Sequence, residues 1–165
     1  MIGSKMEEAL NRHYQAEAYS AYLYLAMSAW CESKAFKGFA RWLRIQSDEE
    51  AAHGKKSLEY LLARGGTVKL GAIAAPPSSF GSILDVFEKV LEHERQITAT
   101  IHDLYRTATA EKDLASEVFL QWFVSEQVEE EARVQEIVDR VKMISDRPSA
   151  VLYLDKEYGK RAPGA

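Results

Sequence analysis

The stretch GGTVKLGAIAAPPSSFGS, from Gly65 to Ser82, decides the fold. It opens with two glycines, which commonly end a helix, and it contains Pro76 and Pro77, which interrupt helices. It closes with Ser82, a residue type that often caps the start of a helix. The stretch is long enough to run from one end of a helical bundle to the other. It therefore predicts a crossover loop between two helical halves.

Each half is predicted to be a helical hairpin. Proline is missing from 4–64 and from 82–146, and both stretches are too long for one ordinary helix. Modest breaks at SKAFKG (33–38) and AEKD (110–113) divide each half into two antiparallel helices. After Pro148 the sequence predicts a short fifth helix. We expect an all-α single domain over 1–165, a four-helix bundle with one long crossover between helices B and C and a short C-terminal helix. The expected elements are A about 4–33, B about 36–64, crossover about 65–81, C about 82–110, D about 113–143 and E about 148–158.

Composition narrows the function classes. The 165 residues are 47% hydrophobic and 28% charged with a net charge of −4, which argues against binding nucleic acid through bulk charge. The single cysteine, Cys31, excludes an internal disulfide and any site built from paired C-x-x-C motifs. No apolar leader and no long uncharged apolar run is seen, so we expect a cytoplasmic protein without a membrane partner.

The predicted apolar stripe of each long helix carries an acidic residue near its middle. These residues are Glu17 in helix A, Glu50 in B, Glu94 in C and Glu130 in D. Four carboxylates in one core are costly, because they lose hydration and repel each other. No lysine or arginine shares the stripes, and His53 alone cannot balance four negative charges. A pair of metal ions can, and carboxylates with an imidazole suit iron or manganese.

The spacing of these residues repeats between the two halves. Glu17, Glu50 and His53 in the first half become Glu94, Gln127 and Glu130 in the second, with a constant offset of 77 residues (94 − 17). The two hairpins thus carry the same three positions. Two-fold placement of this kind builds a site for two metal ions.

Over nearly its whole length the chain resembles the non-haem ferritins of bacteria and archaea. The resemblance is carried by QAEAYSAYLYLAMSAW (15–30), RIQSDEEAAHGKK (44–56), EHE (92–94) and FLQWFVSEQVEEEA (119–132). Ferritin-like di-iron proteins take a Glu from each of two helices and Glu-x-x-His from each of the other two. The first half of this chain follows that pattern, while helix D has Gln127 and Glu130 in place of Glu and His.

The resemblance implies roles for individual residues. Glu17, Glu50 and His53 match the ligands of one iron. Glu50, Glu94 and Glu130 match those of a second iron, with Glu50 shared. Two residues beside the pair of irons have two interpretations each. Gln127 is either an iron ligand or a core amide that hydrogen-bonds to a neighbour. Tyr24 either has a redox or ligand-orienting role or is a packing residue of the core. Glu49, Glu126 and Glu129 match a third, weaker iron site, or form a charged helix face.

Differences from two related families indicate which cofactor the chain holds. Bacterioferritins keep a second E-x-x-H in helix D and place a haem-ligating methionine where this chain has Ala51. Rubrerythrins need a cysteine-rich iron module. We therefore expect iron as Fe(II) and Fe(III) in a di-iron centre, and no haem.

The implied function is iron storage and detoxification. A ferroxidase centre oxidises Fe(II) with oxygen or peroxide, and the Fe(III) is stored as a ferric oxyhydroxide mineral inside a hollow shell of twenty-four chains. The fifth helix is expected to find no partner for its apolar side within its own bundle and to pack against copies of itself. His13, His93 and His102 are expected at the surface or its boundary, without a role. Two alternatives remain open: a soluble di-iron oxidoreductase acting on an organic substrate or peroxide, and a purely structural helical assembly protein.

Overall fold

The computed structural model describes residues 1–164, which form five helices and no strand. The helices are α1 (Ser4–Ser33), α2 (Lys37–Ala63), α3 (Ile83–Ala110), α4 (Leu114–Ile144) and α5 (Pro148–Tyr158). The pairs α1–α2 and α3–α4 form the two hairpins, α1 joins them by packing on α3, and α5 lies against α2 and α4. The predicted all-α bundle with one crossover and a short fifth helix is confirmed. Within 1–164, no helix has an apolar stretch long enough to cross a membrane.

The first three helices end in the same way. The residue that follows each cap adopts the left-handed conformation: Ala35 (φ 64°), Gly65 (φ 74°) and Lys112 (φ 56°). The amide of the next residue then bonds to the carbonyl five residues earlier, at 2.9–3.0 Å. This arrangement satisfies carbonyl groups that a helix end leaves free. Glycine, the residue type that adopts this conformation most readily, occupies the left-handed position in only one of the three turns.

The crossover is anchored at its end and along α1. Ser82 caps α3 by accepting a hydrogen bond from the Asp85 amide at 3.1 Å, and its own amide donates to the Asp85 carboxylate at 2.8 Å. The Asn11 side chain donates to the Thr67 carbonyl (2.9 Å) and accepts from the Lys69 amide (2.6 Å). These bonds hold the start of the crossover against the outside of α1, so it leaves the bundle centre clear.

The bundle interior consists of two apolar clusters with a polar layer between them. One cluster contains Phe39, Trp42 and Phe87, and the other contains Leu10 and Ile101 among its members. On every long helix the residues between the two clusters include a buried acid or amide. The apolar clusters stabilise the bundle, and they also fix the backbone on both sides of the polar layer.

The fifth helix contacts its own bundle more than we expected. Leu154 is buried in the cluster around Phe39, and Tyr158 stacks on Phe39 with ring centroids 5.8 Å apart. The Asp155 carboxylate accepts a 2.8 Å hydrogen bond from the Phe39 amide, so it caps α2, which has no local side-chain cap. The expectation that the apolar side of this helix has no partner in its bundle is wrong. Of its large apolar side chains, Leu152 and Tyr153 are the ones exposed.

Candidate metal centre

Three potential metal ligands converge in the polar layer. Glu17 comes from α1, and Glu50 and His53 come from α2, where three-residue spacing puts both side chains on one face of the helix. All three are buried, and one potential ligand atom from each lies within 4.8 Å of the others. Among residues 1–164, no other group of three or more His, Cys, Asp or Glu residues meets this distance.

A glycine lets the two helices approach each other here. Gly54 follows His53 on α2, and a Cβ atom at this position would lie 3.3 Å from both Glu17 Cβ and the Tyr14 ring. Contacts of this length are tighter than ordinary packing. The small residue therefore helps to bring Glu17 close to the ligands of α2.

Glu50 and His53 form an ion pair. His53 Nδ1 lies 3.3 Å from Glu50 Oε2. Burial alone would lower the pKa of His53, but the hydrogen bond and the negative charge of Glu50 outweigh it and raise the pKa. For Glu50, burial would raise the pKa, but the hydrogen bond and charge of His53 lower it overall. Glu50 is therefore the carboxylate of the layer that stays ionised in the absence of metal.

Glu17 is held in its neutral form. Burial, followed by the charge of Glu50, raises the pKa of Glu17 well above its ordinary value. Its Oε2 atom is buried and has no hydrogen-bond partner. Unpartnered buried oxygens are rare in folded proteins, and a bound ion is a common reason for one.

In the second half, Glu94 is bound by Tyr24 and Gln127. The Tyr24 hydroxyl donates to Glu94 Oε1 at 2.5 Å, and Gln127 Nε2 donates to Glu94 Oε2 at 3.0 Å. Burial and the charge of Glu50 raise the pKa of Glu94 to about 8. Burial and the charge of Glu94 also raise the pKa of Tyr24, so its hydroxyl remains a donor. Both neighbours thus fix the orientation of the carboxyl group.

Glu130, on α4, is connected to Glu50 through an amide. Gln46 Nε2 donates to Glu50 Oε1 and to Glu130 Oε2, each at 2.9 Å. Burial and the charge of Glu50 raise the pKa of Glu130 to about 7. Gln46 lies on the α2 stripe, but no role was predicted for it from the sequence. Its position, four residues before Glu50, is the signal that was available.

Arg133 is a cation that the sequence pattern did not reveal. Its Nη1 atom donates to Glu130 Oε1 at 3.3 Å, although Arg133 lies outside the α4 stripe. The long side chain reaches back from a partly exposed position three residues further along the helix. No lysine or arginine lies on the stripes, as the sequence pattern indicated, but Arg133 supplies Glu130 with a positive partner from outside them. A second guanidinium lies nearby, since Arg161 Nη1 donates to Gln46 Oε1 at 2.9 Å and its charge interacts with Glu130.

His13 is fully buried, so the expectation that it lies at the surface or its boundary is wrong. Burial, followed by the charge of His53, lowers the pKa of His13 to about 4. The sequence held a signal for this burial. Leu10, His13 and Glu17 follow each other at spacings of three and four residues, which place side chains on one face of a helix. A stripe drawn through every seventh residue of α1 (Leu10, Glu17, Tyr24 and Cys31) passes over His13. His93 is half-buried and bonded to Ser20, and His102 is exposed.

The residues proposed for a third iron site lie on the outer side of the cluster. Glu49 is half-buried, and its Oε2 atom accepts a hydrogen bond from Arg161 Nη2 at 2.6 Å. Glu126 is half-buried and Glu129 is exposed. In this arrangement Glu49 pairs with a guanidinium, and the third site stays a prediction.

The donor set fits divalent cations. It offers hard carboxylate oxygens and an imidazole, a combination that suits iron. Protons held by Glu17, Glu94 and Glu130 compensate for the missing positive charge in the metal-free protein, and a cation would replace them. The unpartnered Glu17 oxygen marks a position where a positive charge would be stabilised.

Comparisons with known proteins agree with the fold and the donor set. The profile of the Ferritin-like domain matches residues 7–144. The chain is 42% identical over 161 residues to a bacterial non-heme ferritin of Bacteroides fragilis, covering 98% of this chain and 100% of the relative. A bacterial non-heme ferritin of Campylobacter jejuni is 40% identical over 160 residues, covering 97% and 95%. The solved structure of an open pore ferritin from Archaeoglobus fulgidus superposes with a TM-score of 0.97 at 48% identity, covering 98% and 100%.

Proposed function

The chain belongs to the ferritin family, and from this premise we propose how its buried cluster handles iron. The protein is an iron-storage protein with ferroxidase activity. Fe(II) is its substrate, and Fe(III) is the product that it keeps. We propose that the polar layer between the two apolar clusters is the place where this oxidation occurs.

The first iron is bound by Glu17, Glu50 and His53, and the second by Glu50, Glu94 and Glu130. The observation that carries this assignment is the convergence of Glu17, Glu50 and His53 within 4.8 Å in a buried layer. Glu50 is suited to bridge the two ions, because it is the carboxylate whose pKa is lowered and because Gln46 links it to Glu130.

Reduction of O₂ or peroxide needs two electrons, and two neighbouring Fe(II) ions supply them. Each Fe(II) gives up one electron, and O₂ takes up both electrons and two protons to become hydrogen peroxide. When peroxide is the acceptor, the same two electrons and two protons convert it to two water molecules. Binding of Fe(II) displaces the protons that Glu17, Glu94 and Glu130 hold, which supplies protons at the site. Anionic oxygen ligands stabilise the more highly charged Fe(III), so the carboxylates favour the reaction.

Tyr24 and Gln127 position Glu94 for the second iron. Both donate hydrogen bonds to its carboxylate, so removing either leaves one buried oxygen without its donor. Gln127 also donates to the Glu94 carbonyl and to Thr98. These bonds favour the orienting role over direct ligation. A neutral amide at this position also binds Fe(III) more weakly than a carboxylate, which helps the product to leave.

Storage requires a container. We propose that twenty-four chains assemble into a cytoplasmic hollow shell and that the exposed Leu152 and Tyr153 of α5 contribute to a contact between subunits. A third iron site at Glu49, Glu126 and Glu129 requires Glu49 to exchange its Arg161 partner for a metal ion.

The alternative, an oxidoreductase acting on an organic substrate, needs a substrate cavity beside the cluster. A cavity of about 630 Å³ lies instead beside α5, lined by residues such as Trp30, Ile83 and Leu152 and by none of the proposed ligands. An organic substrate bound in this cavity would not reach the proposed ligands, so the cavity gives the alternative no support.

Iron loading tests the proposal directly. Excess Fe(II) is added in air to the metal-free protein, which then passes over a sizing column with protein and iron absorbance recorded together. We expect iron to elute with a particle of about 450 kDa, from 24 chains of 18.6 kDa. Glu50→Gln should abolish rapid oxidation but keep the particle. Glu59→Gln, an exposed acid on the same helix, is the control. Iron that precipitates, or stays as about two ions on a small species, would refute storage.

A further inference from the structure

His13 is an imidazole at the edge of the cluster that the ligand assignment leaves unused. It is fully buried, and neither Nδ1 nor Nε2 has a hydrogen-bond partner. A buried imidazole with both nitrogens unsatisfied is costly, because it has lost its hydrogen bonds to water without replacement. Such a group calls for a partner that the protein chain itself does not supply.

The position of His13 identifies that partner. Its Nε2 atom lies 3.2 Å from Glu17 Oε1, but the two atoms are not aligned for a hydrogen bond. Adjacent ligand atoms of an octahedral ion, with bonds of about 2.1 Å, are separated by about 3 Å. The nitrogen and the Glu17 oxygen are therefore spaced like two ligands of one ion, and Glu17 has a second, unpartnered oxygen beside them. His13 lies outside the 4.8 Å group of Glu17, Glu50 and His53, so its ring has to move toward the ion to join them.

The two ends of the Glu17–Glu50 pair resemble each other. His53 Nδ1 lies 3.3 Å from Glu50 at one end, and His13 Nε2 lies 3.2 Å from Glu17 at the other. The ring of Phe123 packs edge-on against both imidazoles, with centroid distances of 5.0 Å to His13 and 6.3 Å to His53. A shared apolar ring restrains both imidazoles and keeps water away from them.

We propose that His13 is a second imidazole ligand, bound through Nε2 to the iron that Glu17, Glu50 and His53 hold. This inference rests on the proposed function, since it adds a ligand to that site. The first iron is then bound by two nitrogens and two carboxylates, whereas the second iron has carboxylates alone. The two positions therefore differ in affinity, and the nitrogen-rich position binds the first Fe(II) that enters.

Zinc provides a test that does not depend on iron oxidation. One Zn²⁺ per chain is added to the metal-free protein, and zinc X-ray absorption fine structure counts the coordinated imidazoles. We expect two imidazoles in the wild type, one in His13→Gln and one in His53→Gln. His102→Gln, which changes an exposed histidine on α3, should keep two. Calorimetric titration should show that His13→Gln weakens zinc binding by about tenfold or more.

The result for His53→Gln is decisive even if His13→Gln does not fold. With His93 and His102 also changed to Gln, one imidazole remaining after His53→Gln can come only from His13, and none remaining overturns the inference. A single imidazole in the wild type, or an unchanged zinc affinity in His13→Gln, also overturns it. Failure of the proposed function is distinguishable, because the wild type would then neither bind zinc in the cluster nor oxidise Fe(II).

Discussion

Neutralising Glu130 should make the metal-free protein more stable while it impairs iron oxidation. Glu130 is 1% exposed, and burial together with the charge of Glu50 raises its pKa from the ordinary 4.5 to about 7. Glu130→Gln keeps the size of the side chain and the acceptor for Gln46, but it removes the ionisable group. The variant therefore separates the cost of a buried charge from the cost of a cavity.

The direction in which stability changes with pH follows from the protons bound by the folded and the unfolded chain. The unfolded chain loses this proton near pH 4.5 and the folded chain near pH 7, so folding takes up a proton in between. The stability that Glu130 contributes is fully present below pH 4.5 and is lost as the pH rises through 7. At about 1.4 kcal/mol per pKa unit, the ionisable group lowers the free energy of unfolding by about 3 kcal/mol at pH 8, where it is ionised, and by about 1 kcal/mol at pH 5, where folding takes up its proton. Glu130→Gln should recover these amounts.

Urea unfolding of metal-free protein at fixed chain concentration, followed by tryptophan fluorescence at both pH values, measures the gain. Glu136→Gln, an exposed acid on the same helix, should change the free energy of unfolding by less than about 0.5 kcal/mol. With zinc bound, the wild type should become the more stable of the two proteins, because the ion prefers the carboxylate. A variant less stable than the wild type at pH 8, or a gain equal at both pH values, would refute the reasoning.

Three further substitutions test single contacts. Tyr24→Phe removes the donor to Glu94 and should slow Fe(II) oxidation by about tenfold in stopped-flow absorbance; an unchanged rate would leave Tyr24 a packing residue. Gln127→Glu adds a carboxylate beside Glu94 and should slow later iron additions by about tenfold while sparing the first, and equal rates would exclude a role in product release. Gly38→Ala places a Cβ atom 1.7 Å from the Asp155 carbonyl oxygen and should destabilise the protein by about 2 kcal/mol in urea unfolding, whereas a stabilised variant would show that α5 docks loosely.

The helices could be predicted because their boundaries depend on local chemistry. Pro76, Pro77 and the double glycine at Gly65 interrupt helices through backbone preferences that hold in any context. The docking of α5 could not be predicted this way. Asp155 caps α2 from 116 residues away, and a side chain distant in sequence gives no local signal for such a contact.

The proposed ligands could be found because buried charge is rare. An acid in an apolar stripe needs a partner, and four acids with a repeated offset need a shared one. The residues that contact these acids are harder to predict from the sequence. Arg133 reaches Glu130 from outside the stripe through a long flexible side chain, and periodicity of Cα positions does not describe such a reach. The burial of His13 could have been predicted, since this residue lies on the stripe itself.

The offset of 77 residues between the two halves also identifies positions at which their side chains differ in chemistry. Moved by 77 residues, Gln46 corresponds to Phe123 and His13 corresponds to Val90 (90 − 13). Gln46 connects Glu50 with Glu130, whereas Phe123 packs against the two imidazoles. One side of the cluster is therefore bridged by a hydrogen-bonded amide, and the opposite side is closed by an aromatic ring. Ions beside two such unequal sides have unequal surroundings, so we expect the two proposed iron positions to differ even though the backbone that carries them repeats. Because an ion that arrives alone binds the stronger position first, we expect this asymmetry to give the two proposed iron positions an order of binding.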